Sequence, residues 1–345
     1  VSTEHPGLLD GATVPAEQAH LFGHTTAEAF LAQSYRSGKG HHAILIEGPE
    51  GIGKATLAFR FAHHVLSHPD PLSAPETMAD PDPHSALGRQ IASGASHNLL
   101  HLSRPVDEKT GKMRAAITVD EVRRAGKFFA QTSGSGNWRI VIVDPADDLN
   151  RNAANAILKI LEEPPRNAMF LVLTHAPGKL LPTIRSRCLP LNLSPLSDPD
   201  LEKALGSLGV ALPPGRTDRL LAAAGGSVST ALKLINYGGF DILEAFQAIV
   251  GQAGSAPRKD VHKLADVLAA KDGDTLYNFF CGQANDHVVT RARAAAVGGD
   301  IEAAERLARL SSALVEKIAI AAAYNLDRKQ TVIEILDEIA TQAGR

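Results

Sequence analysis

At 345 residues the chain is long enough for two or three domains, each burying its own core. Its 44% hydrophobic and 21% charged residues read as a globular protein; no apolar run is long enough to span a bilayer, and the opening VSTEHPGLLDGATVP lacks the basic segment and apolar core of a signal peptide. The net charge of −3 argues against strong stand-alone binding to DNA or RNA but leaves a weaker DNA contact within an assembly open, and the distant Cys188 and Cys281 are expected as reduced thiols of a cytoplasmic protein.

Residues 1–19 carry Pro and Gly without pattern and are expected to form an arm, partly disordered. From His20 to Gly38 the pattern predicts a turn and an amphipathic helix, with Ala27, Phe30 and Leu31 on one face. Ala43–Ile46 then reads as a buried strand, followed by a glycine-rich turn and a helix from Lys54. The spacing Gly48-x-x-x-x-Gly53-Lys54 is that of a phosphate-binding loop, with Gly51 between. Glycines let backbone N–H groups curl around a phosphate, and the helix N-terminus and Lys54 add positive charge. The next residue should carry the hydroxyl that holds Mg²⁺, yet it is Ala55; Thr56 is one residue late and points elsewhere on the helix.

Ser67–Ser96 follows, rich in Pro, Asp, Ser and His over its first two-thirds. His68, Asp70, Asp80, Asp82, His84 and His97 raise a metal site as one reading. The absence of cysteine and of paired-ligand spacing favours a solvated loop. Leu99–Ser103 predicts a strand, Val106–Ala115 a charged hairpin or loop, and Ile117–Ala130 a helix with Thr118 as N-cap and Glu121 at the capping-box position. Trp138–Val143 predicts a buried strand ending at Asp144. Arg151–Glu163 predicts a helix with Ala154, Ile157, Leu158 and Leu161 on one face, stopped by Pro164-Pro165. A strand over Met169–Leu173 ends at Thr174, and Leu180–Leu191 leads out of the domain. Alternating strands and helices argue for an α/β fold with a parallel sheet covered on both faces. Beyond Leu193 the pattern is helical: three short helices up to Tyr237, then a bundle of about five from Phe240 onward with no catalytic cluster, in which the apolar faces between Leu307 and Tyr324 are candidates for core or contact surface.

Asp144 sits where an acid would hold Mg²⁺, but Pro145 occupies the place of the adjacent Glu that polarises water. Asp147 and Asp148 suit the N-terminus of the next helix. Thr174 suits either a γ-phosphate contact or a strand cap. Arg185 and Arg187 suit either surface ion pairs or function.

EGPEGIGK, NAILKILEEPP and TIRSRC, in this order, resemble the delta-prime subunits of bacterial DNA polymerase III clamp loaders, within the AAA+ family. The resemblance covers Leu21 to Ile235. It implies an AAA+ P-loop core over 1–192, a helical lid over 193–238 and a helical collar over 239–345. It further implies a stator that does not hydrolyse ATP, has no ATPase activity alone, and works within the DNA polymerase III holoenzyme. Arg187 of Ser186-Arg187-Cys188 would be an arginine finger acting in trans on a neighbouring motor subunit. Implied partners are the gamma/tau motor subunits and the delta subunit in a hetero-pentamer, with the sliding clamp and primer-template DNA reached through the complex, and no membrane. Ala55, Pro145 and Thr230, the last standing where active subunits carry a lid arginine, agree with a stator. Gly48, Gly51, Gly53 and Lys54 keep the alternative of an active AAA+ ATPase in view, and leave weak ATP or ADP binding open without turnover. Many family members carry a four-cysteine zinc module after the first core helix; the Pro/Asp/His loop stands there instead, so no zinc is expected.

Overall fold

The computed structural model describes residues 7–107, 109–111, 113–130, 137–252, 256–271 and 273–343. Residues 1–6 of the expected arm, and 108 and 112 of the expected hairpin, lie outside the described residues. The chain gathers into two compact units, Val1–Ala231 and Leu232–Arg345.

In the first unit the order is α1 (Thr25–Arg36), β1 (Ala43–Glu47), α2 (Lys54–Ser67), α3 (Ala86–Ala92), β2 (Leu99–Leu102), α4 (Val119–Ala130), β3 (Arg139–Val143), α5 (Arg151–Glu162), β4 (Ala168–Thr174), α6 (Pro182–Arg185), β5 (Leu189–Asn192), α7 (Asp198–Ser207) and α8 (Thr217–Ala224). The five strands form one parallel sheet in the order β2-β3-β4-β1-β5. Strands β3 and β4 are buried along their whole length, as two covered faces require. The strand period of two sends Ile44 and Ile46 into a core with Leu31, Leu57 and Phe61, and Leu45 into the opposite core with Val122, Ile157 and Phe170. Each fully buried Leu or Phe there contributes about 2 kcal/mol. Helix α5 starts at Asn150, whose side chain accepts from the Ala153 N–H at 2.9 Å, a cap that stabilises by about 1 kcal/mol.

Two local expectations are corrected. Leu180–Leu191 does not simply lead out of the domain: Leu189–Asn192 pairs with β1 as an edge strand, where Pro190 is tolerated because an edge leaves one side of the ladder unpaired. Helix α4 starts at Val119 rather than Ile117, because Ile117 bridges to Leu149 and gives its N–H to the Asp148 carbonyl at 2.8 Å. The 67–96 stretch ends in α3 and is tied down at several points, described below.

Helix α9 (Val228–Asn236) spans the boundary between the units. The second unit holds α10 (Gly239–Val250), α11 (Arg258–Leu268), α12 (Asp274–Val297), α13 (Ile301–Tyr324) and α14 (Arg328–Ala343). Phe246 and Phe280 meet edge to face at 5.7 Å in its interior. On α13, Leu307, Leu310, Leu314 and Ala321 are buried, whereas Tyr324 is exposed. Both cysteines are buried and free, and burial pushes each thiol up to about 11, which leaves them unreactive. No helix among the described residues is long and apolar enough to cross a membrane.

Candidate functional site

Parallel pairing brings the candidate residues to one edge of the sheet. The register sets Glu47 beside Thr174 and Val143 beside Val172, so the loop after β1, Asp144 after β3 and the end of β4 emerge together. The Gly48 N–H donates to the Thr174 carbonyl at 3.3 Å across that edge.

The loop itself takes left-handed backbone at Gly51 and Gly53, with φ of +76° and +101°. Lys54 opens α2 and is only 4% exposed. Its ammonium donates to the Gly48 carbonyl at 2.6 Å and to the Pro49 carbonyl, inside its own loop. Burial pushes that ammonium down to about 8, against the pull of Asp144, Glu50 and Asp147. Ala55 packs against the core formed with α1 and α2. The loop thus keeps the backbone shape for a phosphate and lacks the hydroxyl that would position a metal.

Two other segments clasp the loop. The His24 Nε2 donates to the Ile52 carbonyl at 2.7 Å. The Ser227 hydroxyl donates to the Glu50 carbonyl at 2.8 Å and accepts from the Thr230 N–H at 3.2 Å, while the Val228 N–H donates to the Gly51 carbonyl at 2.8 Å. Sequence reasoning looked only at Thr230 in this segment. Ser227, at the N-cap position before α9, was the available signal.

Thr174 is fully buried, and its hydroxyl donates to Asp147 Oδ1 at 3.0 Å. Asp147 also accepts from the N–H groups of His175 and Ala176, at 2.8 and 2.9 Å. Its role is to hold the turn after β4, since the N-cap of α5 is Asn150. Asp148 pairs with Arg104 at 3.0 Å, and Asp144 lies 3.5 Å from His101. Burial lowers the pKa of His175, with Lys54 nearby adding to the effect.

Arg187 stands apart from this cluster, just past α6. Its Nη1 donates to the Thr183 carbonyl at 2.9 Å, and its Nη2 meets Glu162 Oε1, at the end of α5, at 2.7 Å. A third of the side chain stays exposed, at 34%. Cys188 beside it is buried in the core that also holds Leu161. Arg185 is exposed. Glu162, within the LEEPP stretch, was not singled out from the sequence.

The 67–96 stretch is largely exposed, as expected of a solvated loop, and is fastened at several points. The Tyr35 hydroxyl donates to the His68 carbonyl at 2.6 Å, the Trp138 indole to the Pro69 carbonyl at 3.0 Å, and Arg36 to the Ala74 carbonyl at 2.5 Å. Arg60, whose side chain is 4% exposed, pairs with Glu28 at 2.8 Å and with Asp80 at 2.7 Å, and donates to the Ala19 carbonyl. His20 donates to the other oxygen of Asp80 at 2.8 Å. Pro15–Ala19 line a small cavity of about 70 Å³ with Phe59, Arg60 and α3, and Ala16 packs against the core. The stretch has no cysteine, Asp80 is taken by Arg60 and His20, and among the described residues no three His, Cys, Asp or Glu gather as a metal-holding group.

A family model described as DNA polymerase III, delta subunit, matches residues 23–197. The delta-prime subunit of DNA polymerase III from Pseudomonas aeruginosa is 36% identical over 204 residues, covering 57% of this chain and 56% of that protein. The Escherichia coli delta-prime subunit is 30% identical over 246 residues, covering 69% of this chain and 67% of that protein. The tau subunit of the same organism is 27% identical over 266 residues, 75% of this chain and 39% of its own length. The chain therefore spans little more than half the length of the Pseudomonas relative.

Proposed function

The chain belongs to the delta-prime family of DNA polymerase III clamp-loader subunits, and from that premise we propose that it is a stator that does not hydrolyse ATP. The observation that carries this reading is Ala55: the position that should offer a hydroxyl to Mg²⁺ offers a methyl group packed against the core. Thr174 adds support, because its hydroxyl is spent on Asp147. Retained glycines and Lys54 favour the competing reading of an active ATPase, but Pro145 stands where the water-polarising Glu of such enzymes would be.

In this proposal Arg187 is the finger. Its side chain is partly exposed, and its partners, Glu162 and the Thr183 carbonyl, are not residues of the chain's own loop. A guanidinium there would meet the charge that develops on the γ-phosphate of ATP held by a gamma/tau-type neighbour. The chain would sit in a hetero-pentamer beside motor subunits and a delta subunit, in the cytoplasm, loading the sliding clamp onto primed DNA. Likeness to the tau subunit fits such a neighbour. Hydrolysis of ATP by the reconstituted loader, stimulated by clamp and primed DNA, tests it: Arg187→Ala should cause a large fall with assembly intact, and unchanged turnover would remove the finger.

A further inference from the structure

Glu162 is poorly placed for its own helix. It is the last residue of α5, where the carbonyl end of the helix dipole disfavours a carboxylate. What it has there is Arg187, at 2.7 Å. The two residues lie at the ends of α5 and α6, and the chain on either side of the pair is anchored: Leu161 and Cys188 are buried in one core. The Thr183 carbonyl takes a second donor of the guanidinium at 2.9 Å, and Ser186 Oγ lies 3.5 Å from the same nitrogen. A guanidinium has five N–H donors. Among the described residues these contacts leave the Nε hydrogen without an acceptor.

We infer that Glu162 is the positioning residue for Arg187, holding one edge of the guanidinium so that the other faces a phosphoryl oxygen brought by a neighbouring subunit, a role that presupposes Arg187 as the finger in trans. An unheld arginine would have to give up the freedom of four torsions at the encounter. One already fixed by a carboxylate and a backbone carbonyl gives up less, and its charge needs no rearrangement when the γ-phosphate becomes more negative. The bland alternative is a surface ion pair of little consequence.

The test uses the reconstituted loader with the full chain carrying Glu162→Ala, Glu162→Gln, Arg187→Ala or both alanines. Assembly is followed by size exclusion and ATP turnover is stimulated by clamp and primed DNA. Misplacing a charge-stabilising group without deleting it should lower kcat about tenfold. The KM for ATP should stay nearly unchanged, because the charge that Arg187 meets develops in the transition state. Glu162→Gln, which keeps an acceptor of the same shape, should recover part of the loss. The double variant should be no worse than Arg187→Ala alone. Wild-type turnover in Glu162→Ala beside a large fall in Arg187→Ala would overturn the positioning role and leave the finger standing. Faster turnover in Glu162→Ala would make the pair a restraint and overturn it equally. No effect of Arg187→Ala would remove the finger itself and the positioning role with it. If Glu162→Ala fails to assemble, the near-isosteric Glu162→Gln decides: a kcat equal to wild type overturns the role, and a fall at constant KM supports it.

Discussion

The Ser227 hydroxyl reaches the Glu50 carbonyl at 2.8 Å across 177 residues of sequence, and so fastens the segment before α9 onto the crest of the phosphate-type loop. The loop is therefore also a docking surface for its own chain. A Cβ at Gly51 would lie 2.5 Å from Ser227 Oγ and 2.7 Å from Ser229 Cβ, on backbone with φ of +76°.

Gly51→Ala should therefore destabilise the full chain by more than about 1 kcal/mol, from left-handed strain alone, with the displaced serines adding to it. Gly178→Ala is the control, because a Cβ there meets nothing within 4 Å. Urea unfolding of both variants reads the difference. If Gly51→Ala is no worse than Gly178→Ala, the serine segment does not rest on the loop in solution.

Arg60 should matter more than its partners. It is buried and serves Glu28, Asp80 and the Ala19 carbonyl at once, whereas Asp80 is 52% exposed. Arg60→Ala strands a Glu28 whose side chain is only 15% exposed and frees both the arm and the 67–96 stretch, and should cost about 3 kcal/mol. Asp80→Ala breaks only the solvent-screened half and should cost under about 1 kcal/mol. Thermal melts compare the two, and equal losses would mean that Arg60 does not organise the region.

Much of the core could be read from the chain alone. Strands β1, β3 and β4, with helices α2 and α5, announce themselves by apolar runs and helical spacing, and Gly48, Gly53 and Lys54 by their separation. What stayed hidden depends on contacts between distant segments. Strand β5 is short and carries Pro190, so it becomes a strand only because β1 offers it an edge. Asp147 looked like a helix-start acid, yet its partners lie 27 to 29 residues away. Arg60 sits within an apolar helix, and nothing local says that it will meet Glu28 and Asp80. Glu162 looked like one of two acids before a proline pair, and only folding brings it to Arg187.

His64 should make stability depend on acidity. It is 5% exposed, lies against Tyr35 and His68, and its Nε2 has no hydrogen-bond partner among the described residues. Burial, with His68 and His63 adding to it, pushes its pKa down to about 4. The folded chain therefore keeps it neutral while the unfolded chain takes up a proton near pH 6.5. Fewer protons bound in the folded state means that stability is full above about pH 6.5 and is lost as pH falls toward about 4. His64→Leu should lose about 2 kcal/mol less than the wild type between pH 7 and pH 4.5. His63, shifted in the same direction, supplies part of the remaining slope. Parallel urea titrations at the two pH values measure this, and identical slopes would show that His64 does not stay neutral in the fold.

Lys54 separates a stator from a motor. In a working phosphate loop the lysine carries β- and γ-phosphate charge, and losing it disables turnover. Here the ammonium already sits on the Gly48 and Pro49 carbonyls, next to Ala55. Lys54→Ala should leave the stimulated ATPase of the assembled loader unchanged, although it leaves those two carbonyls without a donor and costs the chain about 1 kcal/mol or more in stability. Arg187→Ala, measured in the same preparation, should cut turnover while leaving the isolated chain's melting temperature nearly unaltered, because a third of its side chain is in solvent. The opposite pairing, with turnover falling on loss of Lys54 and holding on loss of Arg187, would mean that this chain hydrolyses ATP in its own loop and lends nothing to a neighbour.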